Sequence, residues 1–388
     1  MDGLLDEVAT RRARRHTAIG SVDAELRLRP GLRLLWRGPT EVQVGTDPRW
    51  SVVLTDLDPT AARVLTDAPP GVTTRALRRT LTAAGVGREG VDAILDHLGA
   101  AHLLTALPGP DPRPDEETWS LLDEAVVPGS ERHRSVRPRA STSVRVRGLG
   151  RLGTGIAVTL ASAGVGTLHL EDPGAVTRHD VGAGLTARDI GRSRAGAVAR
   201  VVLDAAPTVT IANAPAARVD LVVLVEHDAA DPVGYRALLS DDVPHLSVVV
   251  REASVLVGPL VRPGATACLR CVDLHRTDRD DRWPVLAAQL VARRGPRHEE
   301  TAMASVAAAI AAAQVLAHLD GRPCAVSDGA IELRLPDLLP HHMRWAAHPD
   351  CGCVAVPAPA SAPPRWDERA RHPAPETADP GAVRAGVS

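Results

Sequence analysis

Apolar and polar positions divide the chain into two regions that have different patterns. From residue 141 onward, short apolar runs alternate with longer segments in which apolar residues recur every three or four positions. SVRVRGLG, TLHLEDP and DLVVLVE are predicted strands, and TGIAVTLASAG and RSRAGAVARVVLDA are predicted helices. Because strands and helices alternate, residues 141–356 are predicted to form a doubly wound α/β domain.

Residues 25–106 show short β-like runs followed by three helical patterns. The runs RLLWRG, EVQVG and WSVVL are separated by turn sequences. Asp58 and Pro59 begin the first helix as its N-cap and first helical residue. The apolar spacing predicts two further helices with these buried residues: Leu77, Leu81 and Ala84, then Val91, Ile94, Leu95 and Leu98. Strands followed by three short helices predict a small winged helix-turn-helix domain.

The remaining segments are rich in proline, charge or both. Residues 1–24 are predicted to be a flexible N-terminus, and residues 107–140 a linker with one short helix at Trp119–Glu124. Residues 357–388 contain PAPASAPPRW and are predicted to be a disordered tail.

Composition and charge disfavour nucleic acid and membranes as partners of this protein. The 388 residues carry a formal net charge of −2, so no global field favours nucleic acid or a membrane surface. All 45 basic residues are arginine, so the role of any lysine ammonium falls to arginine or is missing. The apolar stretch MASVAAAIAAAQVLAHL is interrupted by Gln314 and His318 and predicts a buried helix. With no apolar signal segment at the start, we expect a cytoplasmic protein with no nucleic-acid or membrane partner.

A glycine-rich loop follows the first predicted strand of the α/β region. Gly148, Gly150 and Gly153 match G-x-G-x-x-G, in which the backbone turns tightly and a helix N-terminus holds an anion. Glu171 and Asp172 end the next strand, where an acid grips a ribose hydroxyl. The motif therefore indicates a nucleotide site; the alternative is that the glycines serve only the turn.

Four of the five cysteines form two close pairs. Cys268 and Cys271 make a CxxC, and Cys351 and Cys353 make a CxC. Two such loops can converge into a tetrahedral structural zinc site, whereas a redox CxxC lacks a thioredoxin-like context here. Cys324 stands alone, either as a buried structural thiol or as a nucleophile.

The glycine loop, the strand AGVGTLHLED and the later DIGRSRA resemble the adenylating domain of the E1-like ThiF/MoeB family. The resemblance covers residues 141–356 and implies an ATP site that includes Asp172, a zinc tetrad at the four cysteines, and a homodimer. The chain departs from the family pattern at its phosphate-binding and Mg²⁺-binding positions. The family arginine falls within VGAGL at residues 181–185, the family lysine is replaced by Arg194, and Glu226 or Asp228 would have to replace the Mg²⁺-binding aspartate. Losing these groups removes stabilisers of phosphate charge, so a catalytically degenerate site is expected.

The segments GPLVRPGATACLRCVDLH and HPDCGC, with the N-terminal unit, resemble a narrower group. These are the ocin-ThiF and cyclodehydratase C proteins of azol(in)e-peptide (TOMM) biosynthesis, in which a RiPP recognition element binds a leader peptide as an added strand. The resemblance places this edge strand near residues 51–54 (Ser51, Val52, Val53 and Leu54), with a groove at Ile94, Leu98 and His102. Alternatively, Ile94 and Leu98 belong to the domain's own core. DNA binding is disfavoured because the candidate helix REGVDAILDHLG has one arginine and several acids.

Three functions follow from these patterns. The first is a non-catalytic ThiF-like protein that binds a leader peptide and delivers it to a separate YcaO-type cyclodehydratase. The second is an active ATP- and Mg²⁺-dependent adenylyltransferase of the ThiF/MoeB type. The third, a nicotinamide-dependent oxidoreductase, accounts for the glycine loop but for neither the cysteines nor the N-terminal unit.

Overall fold

The computed structural model describes two folded units. It describes residues 25–29, 31–47, 51–107, 139–212, 218–292 and 298–354. The predicted flexible N-terminus, the predicted helix at 119–124 and the predicted tail at 357–388 lie outside the described residues.

The N-terminal unit combines a small sheet with three helices. In chain order its elements are β1 Leu26–Leu28, β2 Leu34–Gly38, β3 Glu41–Val44, β4 Val52–Leu54, α1 Pro59–Thr66, α2 Thr74–Ala83, α3 Arg88–Ala100 and β5 Leu104–Ala106. Strands β2, β3 and β4 form an antiparallel sheet with β3 in the centre, and β1 pairs with β5. Strand β4 therefore lies at an edge of the three-stranded sheet.

Local sequence signals account for most of this unit. The Asp58 side chain accepts a hydrogen bond from the Thr60 N–H (2.7 Å) and caps α1, and Pro59 is its first residue, as predicted. Leu77, Leu81 and all four apolar residues predicted for α3 are buried. The prediction for Ala84 was wrong, since this residue ends α2 as its C-cap and is exposed.

The second unit contains a large mixed sheet. In chain order its elements are β6 Ser143–Arg147, α4 Arg151–Ser162, β7 Thr167–Glu171, α5 Arg194–Ala205, β8 Thr210–Ile211, β9 Leu221–His227, α6 Pro232–Ser240, β10 His245–Val250, β11 Ser254–Val261, α7 Leu269–Thr277, α8 Trp283–Ala292, α9 Thr301–Leu319, β12 Gly329–Arg334 and β13 Pro340–Arg344. The strand order is β13-β12-β11-β10-β9-β6-β7-β8. The strands from β10 to β8 are parallel, and β11, β12 and β13 are antiparallel.

The parallel strands are apolar because both faces of the sheet are covered. All six residues of β10 and the first five of β9 are buried, as expected for a sheet packed between helices. Strand β6 lies between β7 on one side and β9 on the other, so the chain reverses direction across the sheet at this point. A ligand crevice is expected at the carboxyl ends of these three strands.

Helix α9 is the apolar segment that the sequence predicts to be buried. By length and composition it is the one helix among the described residues that could cross a membrane. Its inner face is buried against α4 and β11 in the core of the second unit. This burial confirms the prediction of a core helix.

The second unit begins slightly ahead of the predicted boundary at residue 141. Arg139 is buried and forms an ion pair with Asp320 (2.6 Å) at the end of α9. Arg139 also donates to the carbonyl of Ala163 (2.9 Å). These contacts place residue 139, predicted to be linker, inside the folded unit.

Candidate functional site

The glycine loop lies between β6 and α4, as predicted, and two of its glycines are required by close backbone packing. Gly148 has a φ of +85°, and a Cβ there would overlap the Val225 carbonyl. A Cβ at Gly153 would overlap the carbonyl of Gly148. Only glycine allows the loop to pack this tightly against β9 and against itself.

A cavity of about 570 Å³ opens beside this loop at the carboxyl ends of β6, β7 and β9. The predicted residues Gly148, Asp172 and Arg194 line it, together with Glu171 and Glu226. The sheet reverses its strand order here, so the cavity occupies the crevice expected for a ligand. Three of the five predicted nucleotide-binding residues thus line one cavity, and Gly150 and Gly153 are not among its lining residues.

Asp172 binds groups of the protein itself. Its carboxylate accepts hydrogen bonds from the N–H groups of Leu149 (2.9 Å) and Gly174 (2.8 Å), and from Arg194 Nη1 (2.7 Å). The side chain is only 3% exposed. Burial alone would raise the pKa of Asp172, but the two N–H groups and the Arg194 guanidinium outweigh it and hold the pKa below its ordinary value.

Arg194 is held from several sides at the start of α5. Besides Asp172, it pairs with Asp180 (3.0 Å) and donates to the carbonyl of Ala175 (2.9 Å). The Arg194 guanidinium therefore holds the turn after β7 in place. A phosphate would have to compete with three acceptors of the protein for this guanidinium.

Sequence reasoning missed Glu299, which lies at the glycine loop although it is 146 residues from Gly153 in the chain. Its Oε2 accepts a hydrogen bond from the Leu152 N–H (2.7 Å) in the first turn of α4. The carboxylate lies against Gly150, where a Cβ would overlap it. His227 Nε2 is 3.1 Å from Oε1. The only sequence signal was an acidic pair immediately ahead of the alanine-rich helix.

Arg151, in the first turn of α4, forms a hydrogen bond with the backbone of the segment that contains Glu299. Its Nη1 donates to the Glu299 carbonyl (2.7 Å), and its Nε donates to the carbonyl of Val181 (2.9 Å). The loop residue thus connects α4, the start of α9 and the 181–185 segment.

The two candidates for a Mg²⁺-binding acid occupy different places. Glu226 lines the cavity, and its Oε1 accepts a hydrogen bond from the Asp231 N–H (2.9 Å). Asp228 is not among the lining residues; it has a φ of +69°, and its N–H donates to the Val250 carbonyl. Of the two, Glu226 is placed to meet a ligand.

The four predicted metal ligands converge, with all their Sγ atoms within 4.8 Å of one another. The Sγ–Sγ distances are 3.9 Å for Cys268–Cys271, 3.5 Å for Cys268–Cys351 and 3.3 Å for Cys271–Cys353. Tetrahedral Zn–S bonds of about 2.3 Å place sulfurs about 3.8 Å apart, so the cluster could hold an ion such as zinc. Such an ion would supply a structural cross-link between the start of α7 and the segment after β13.

The electrostatics of the thiols suit a shared cation. Burial raises the pKa of Cys268 and raises the pKa of Cys351 to about 11. Burial would also raise the pKa of Cys271, but hydrogen bonds, the first from the His348 N–H, lower it instead. A metal binds the thiolate form, and the hydrogen bonds to Cys271 favour that form.

His348 lies near the cysteines, and its ring nitrogen, a nitrogen of His275 and a carboxylate oxygen of Asp278 lie within 4.8 Å of one another. Its Nδ1 accepts from the Asp350 N–H (3.1 Å), which places the ring proton on Nε2, 2.9 Å from Asp278 Oδ2. Both ring nitrogens are therefore engaged, and no lone pair is left for a metal.

Cys324 lies far from the cavity. It follows the C-terminal end of α9, whereas Glu299 precedes the N-terminal end, and 19 helical residues span about 28 Å. Its thiol donates to Gln314 Oε1 (3.3 Å) and packs against the core. This placement suits a structural thiol.

The predicted peptide-binding residues divide into two groups. Ser51 directly precedes the edge strand β4, in which Leu54 is buried and Val53 is 40% exposed. Ile94 and Leu98 are buried in the core of the N-terminal unit, as the alternative interpretation expects. His102 is exposed just after α3. Val53 on the edge strand and His102 after α3 are therefore the predicted residues that are exposed to a partner.

Comparison with known proteins identifies the second unit. A family model described as "ThiF family" matches residues 136–353, more than half of the chain. The chain belongs to the ThiF family. No curated protein matches the sequence.

Solved structures agree with this fold. Escherichia coli MccB crystallised with AMPCPP and MccA has a TM-score of 0.60 at 14% identity, over 85% of this chain and 100% of MccB. The same enzyme with ATP has a TM-score of 0.57 at 15% identity, over 85% of this chain and 100% of that chain. PaaA has a TM-score of 0.60 at 16% identity, over 82% of this chain and 99% of PaaA.

Zinc content tests the cysteine cluster. We expect Cys271→Ser to lower bound zinc from about one ion per chain to near zero, because a closed site needs all four thiolates. Cys324→Ser removes a thiol outside the cluster and should keep its zinc. Elemental analysis of the purified proteins measures both, and full zinc content in Cys271→Ser would contradict the assignment.

A second prediction concerns the Asp172–Arg194 pair. Asp172→Ala should lower the free energy of unfolding by about 3 kcal/mol at pH 7, because it breaks a buried, hydrogen-bonded ion pair. The matched change Asp204→Ala breaks a pair whose carboxylate is 68% exposed, and it should cost less than about 1 kcal/mol. Urea unfolding followed by circular dichroism measures both values.

The pH dependence of the Asp172 effect follows from its lowered pKa. The carboxylate stabilises the fold fully above its unfolded pKa of about 3.9, and this contribution is lost as the pH falls through the lower folded pKa. The difference between wild type and Asp172→Ala should therefore be constant from pH 7 to 5 and shrink in stronger acid. A difference that grows in acid would contradict this assignment.

Proposed function

We propose that this ThiF-family protein binds the leader segment of a precursor peptide and presents it to a separate modifying enzyme of the YcaO cyclodehydratase type. In this proposal the N-terminal unit is a winged-helix RiPP recognition element, and the ThiF unit is a scaffold that does not adenylate. The proposal that the ThiF unit is a scaffold rests on one observation. The backbone N–H groups of the glycine loop donate hydrogen bonds to carboxylates of the protein itself.

The edge strand β4 supports the peptide-binding part. Among the described residues β4 pairs only with β3, so its outer backbone groups are available to an added strand. Main-chain hydrogen bonds give such a strand affinity, and side chains such as the exposed Val53 give selectivity. The MccB matches cover 85% of the chain, which extends beyond the ThiF-matched residues 136–353 into the N-terminal unit.

The glycine loop supports the scaffold part. The Leu149 and Leu152 N–H groups, which would face a phosphate, donate to Asp172 and Glu299. A triphosphate entering here meets two buried carboxylates, and Arg194 is already paired with two acids. Because phosphate chemistry depends on compensating charge, each missing donor costs roughly a few kcal/mol of barrier.

The solved relatives support a peptide as the partner. MccB is a biosynthetic enzyme of microcin C7, and its structure is known with MccA and with N-formylated MccA. A peptide ligand for this chain is consistent with that likeness. The proposal further includes a structural zinc ion at the four cysteines, a homodimer, and a cytoplasmic location.

An ATP-dependent adenylyltransferase is the second candidate. The cavity of about 570 Å³ favours it, because its volume suits a nucleotide. MccB crystallised with ATP favours it as well. The two candidates differ in whether the protein performs chemistry on ATP.

Peptide binding can be tested at the sheet edge. Successive N–H groups of β4 point alternately towards β3 and away from it. Proline is therefore introduced separately at Val52 and at Val53. One of the two variants loses an N–H that points outward and keeps the pairing with β3. We expect this folded variant to bind a fluorescein-labelled leader peptide, chosen from candidates in neighbouring genes by its binding to the wild type, at least about tenfold more weakly (about 1.4 kcal/mol). Fluorescence anisotropy measures the affinity.

The matched controls place proline on the opposite edge strand, at Leu35 or Trp36 in β2. Folded variants of β2 should bind the leader peptide like the wild type. Equal weakening from both edges, or none from β4, would contradict strand addition at β4.

ATP–pyrophosphate exchange tests the scaffold part. The zinc-loaded wild-type protein, with Mg²⁺, ATP and the bound leader peptide, should give no exchange above a protein-free blank. An adenylating ThiF-family enzyme run in parallel shows that the assay works. Exchange that depends on this protein would overturn the scaffold proposal and establish the adenylyltransferase.

A further inference from the structure

The carboxylate of Glu299 lies where a helix N-terminus attracts an anion. The first turn of α4 directs its unpaired N–H groups and the positive end of the helix dipole towards this point. Glu299 Oε2 accepts the Leu152 N–H, and the carboxylate fills the space left by the missing side chain of Gly150. A phosphate oxygen at this position would use the same donor and the same space.

The contact is incomplete on one side. Glu299 is 6% exposed, and its Oε1 has no hydrogen-bond donor in suitable geometry among the described residues. His227 Nε2 lies 3.1 Å away without forming such a bond. Oε1 therefore has His227 at ion-pair distance but no aligned hydrogen bond, and the Leu152 N–H is the side-chain hydrogen bond that holds the carboxylate at the loop.

Space for a displaced side chain lies next to the contact. A second cavity of about 280 Å³ is lined by Arg151, His179, Glu252, His298, Glu299, Glu300 and Met303. A rotation of the Glu299 side chain into this cavity would keep it near Arg151 and two histidines, and would also bring it near the acids Glu252 and Glu300. The backbone can stay in place, because Arg151 holds the Glu299 carbonyl and Glu300 caps α9 through the N–H groups of Ala302 and Met303.

We propose that Glu299 is an internal competitor of phosphate, which occupies the anion site of the glycine loop and must leave before a nucleotide phosphate can bind there. The inference deepens the proposed function and rests on it, since a loop closed in this way is what keeps the ThiF unit a scaffold. Emptying the site restores phosphate binding and does not by itself restore chemistry.

Calorimetric titration of the zinc-loaded full chain with inorganic pyrophosphate, and separately with Mg²⁺-ATP, tests the proposal. Glu299→Ala frees the Leu152 N–H and should bind both probes at least about tenfold more tightly than the wild type. Glu299→Gln keeps the shape and loses the charge, so its affinity should lie between the two. The Gln variant also covers the case in which the Ala variant fails to fold.

Glu252→Ala is the matched control, because it removes an acid from the same cavity without touching the loop. Its affinity for both probes should equal that of the wild type. A thermal-shift series adds a second measurement: pyrophosphate should raise the Tm of Glu299→Ala more than that of the wild type.

Three results would overturn the proposal: no gain of affinity in either folded Glu299 variant, an equal gain in Glu252→Ala, or tight binding by the wild type. These binding results are independent of ATP–pyrophosphate exchange. Exchange by the wild type would overturn the proposed function, whereas unchanged binding in the Glu299 variants would overturn only the role of Glu299.

Discussion

The Asp172 carboxylate joins three of the segments that surround the pocket. It accepts from the glycine loop through Leu149, from the turn after β7 through Gly174, and from α5 through Arg194. Because all three donors meet at one buried acid, none of the segments can move independently of the others. The same bonds make Asp172 a structural residue first, and any ligand at the pocket meets a carboxylate that is already satisfied.

Patterns that depend on neighbours in sequence could be predicted. The strands β6, β7 and β9 followed from apolar runs, the cap at Asp58 followed from residue type, and the thiol pairs followed from their spacing. Ala84 was assigned wrongly because helical spacing does not reveal where a helix ends. Glu299 was missed because its contact joins two segments almost 150 residues apart, and neither segment contains a pattern that indicates contact with the other.

The two units divide the proposed work. The N-terminal unit offers an open strand edge, and the ThiF unit offers a pocket whose donors are occupied from within. Gly148, Asp172 and Arg194 line the pocket, and residues 52–54 form the edge strand. Ile94 and Leu98, which were predicted to bind a peptide, are instead buried in the core of the N-terminal unit. The volume of the pocket alone says little about chemistry, since polar groups committed to one another are not available to a substrate.

The thiol cluster brings together two segments that lie far apart in the sequence. Cys268 and Cys351 are 83 positions apart, and the intervening chain includes α7, α8, α9, β12 and β13. Closing so long a loop costs entropy that the metal alone must offset, unless the strands are paired first. An ion bound by the four thiols would therefore be expected to bind best to a chain whose C-terminal strands have already paired.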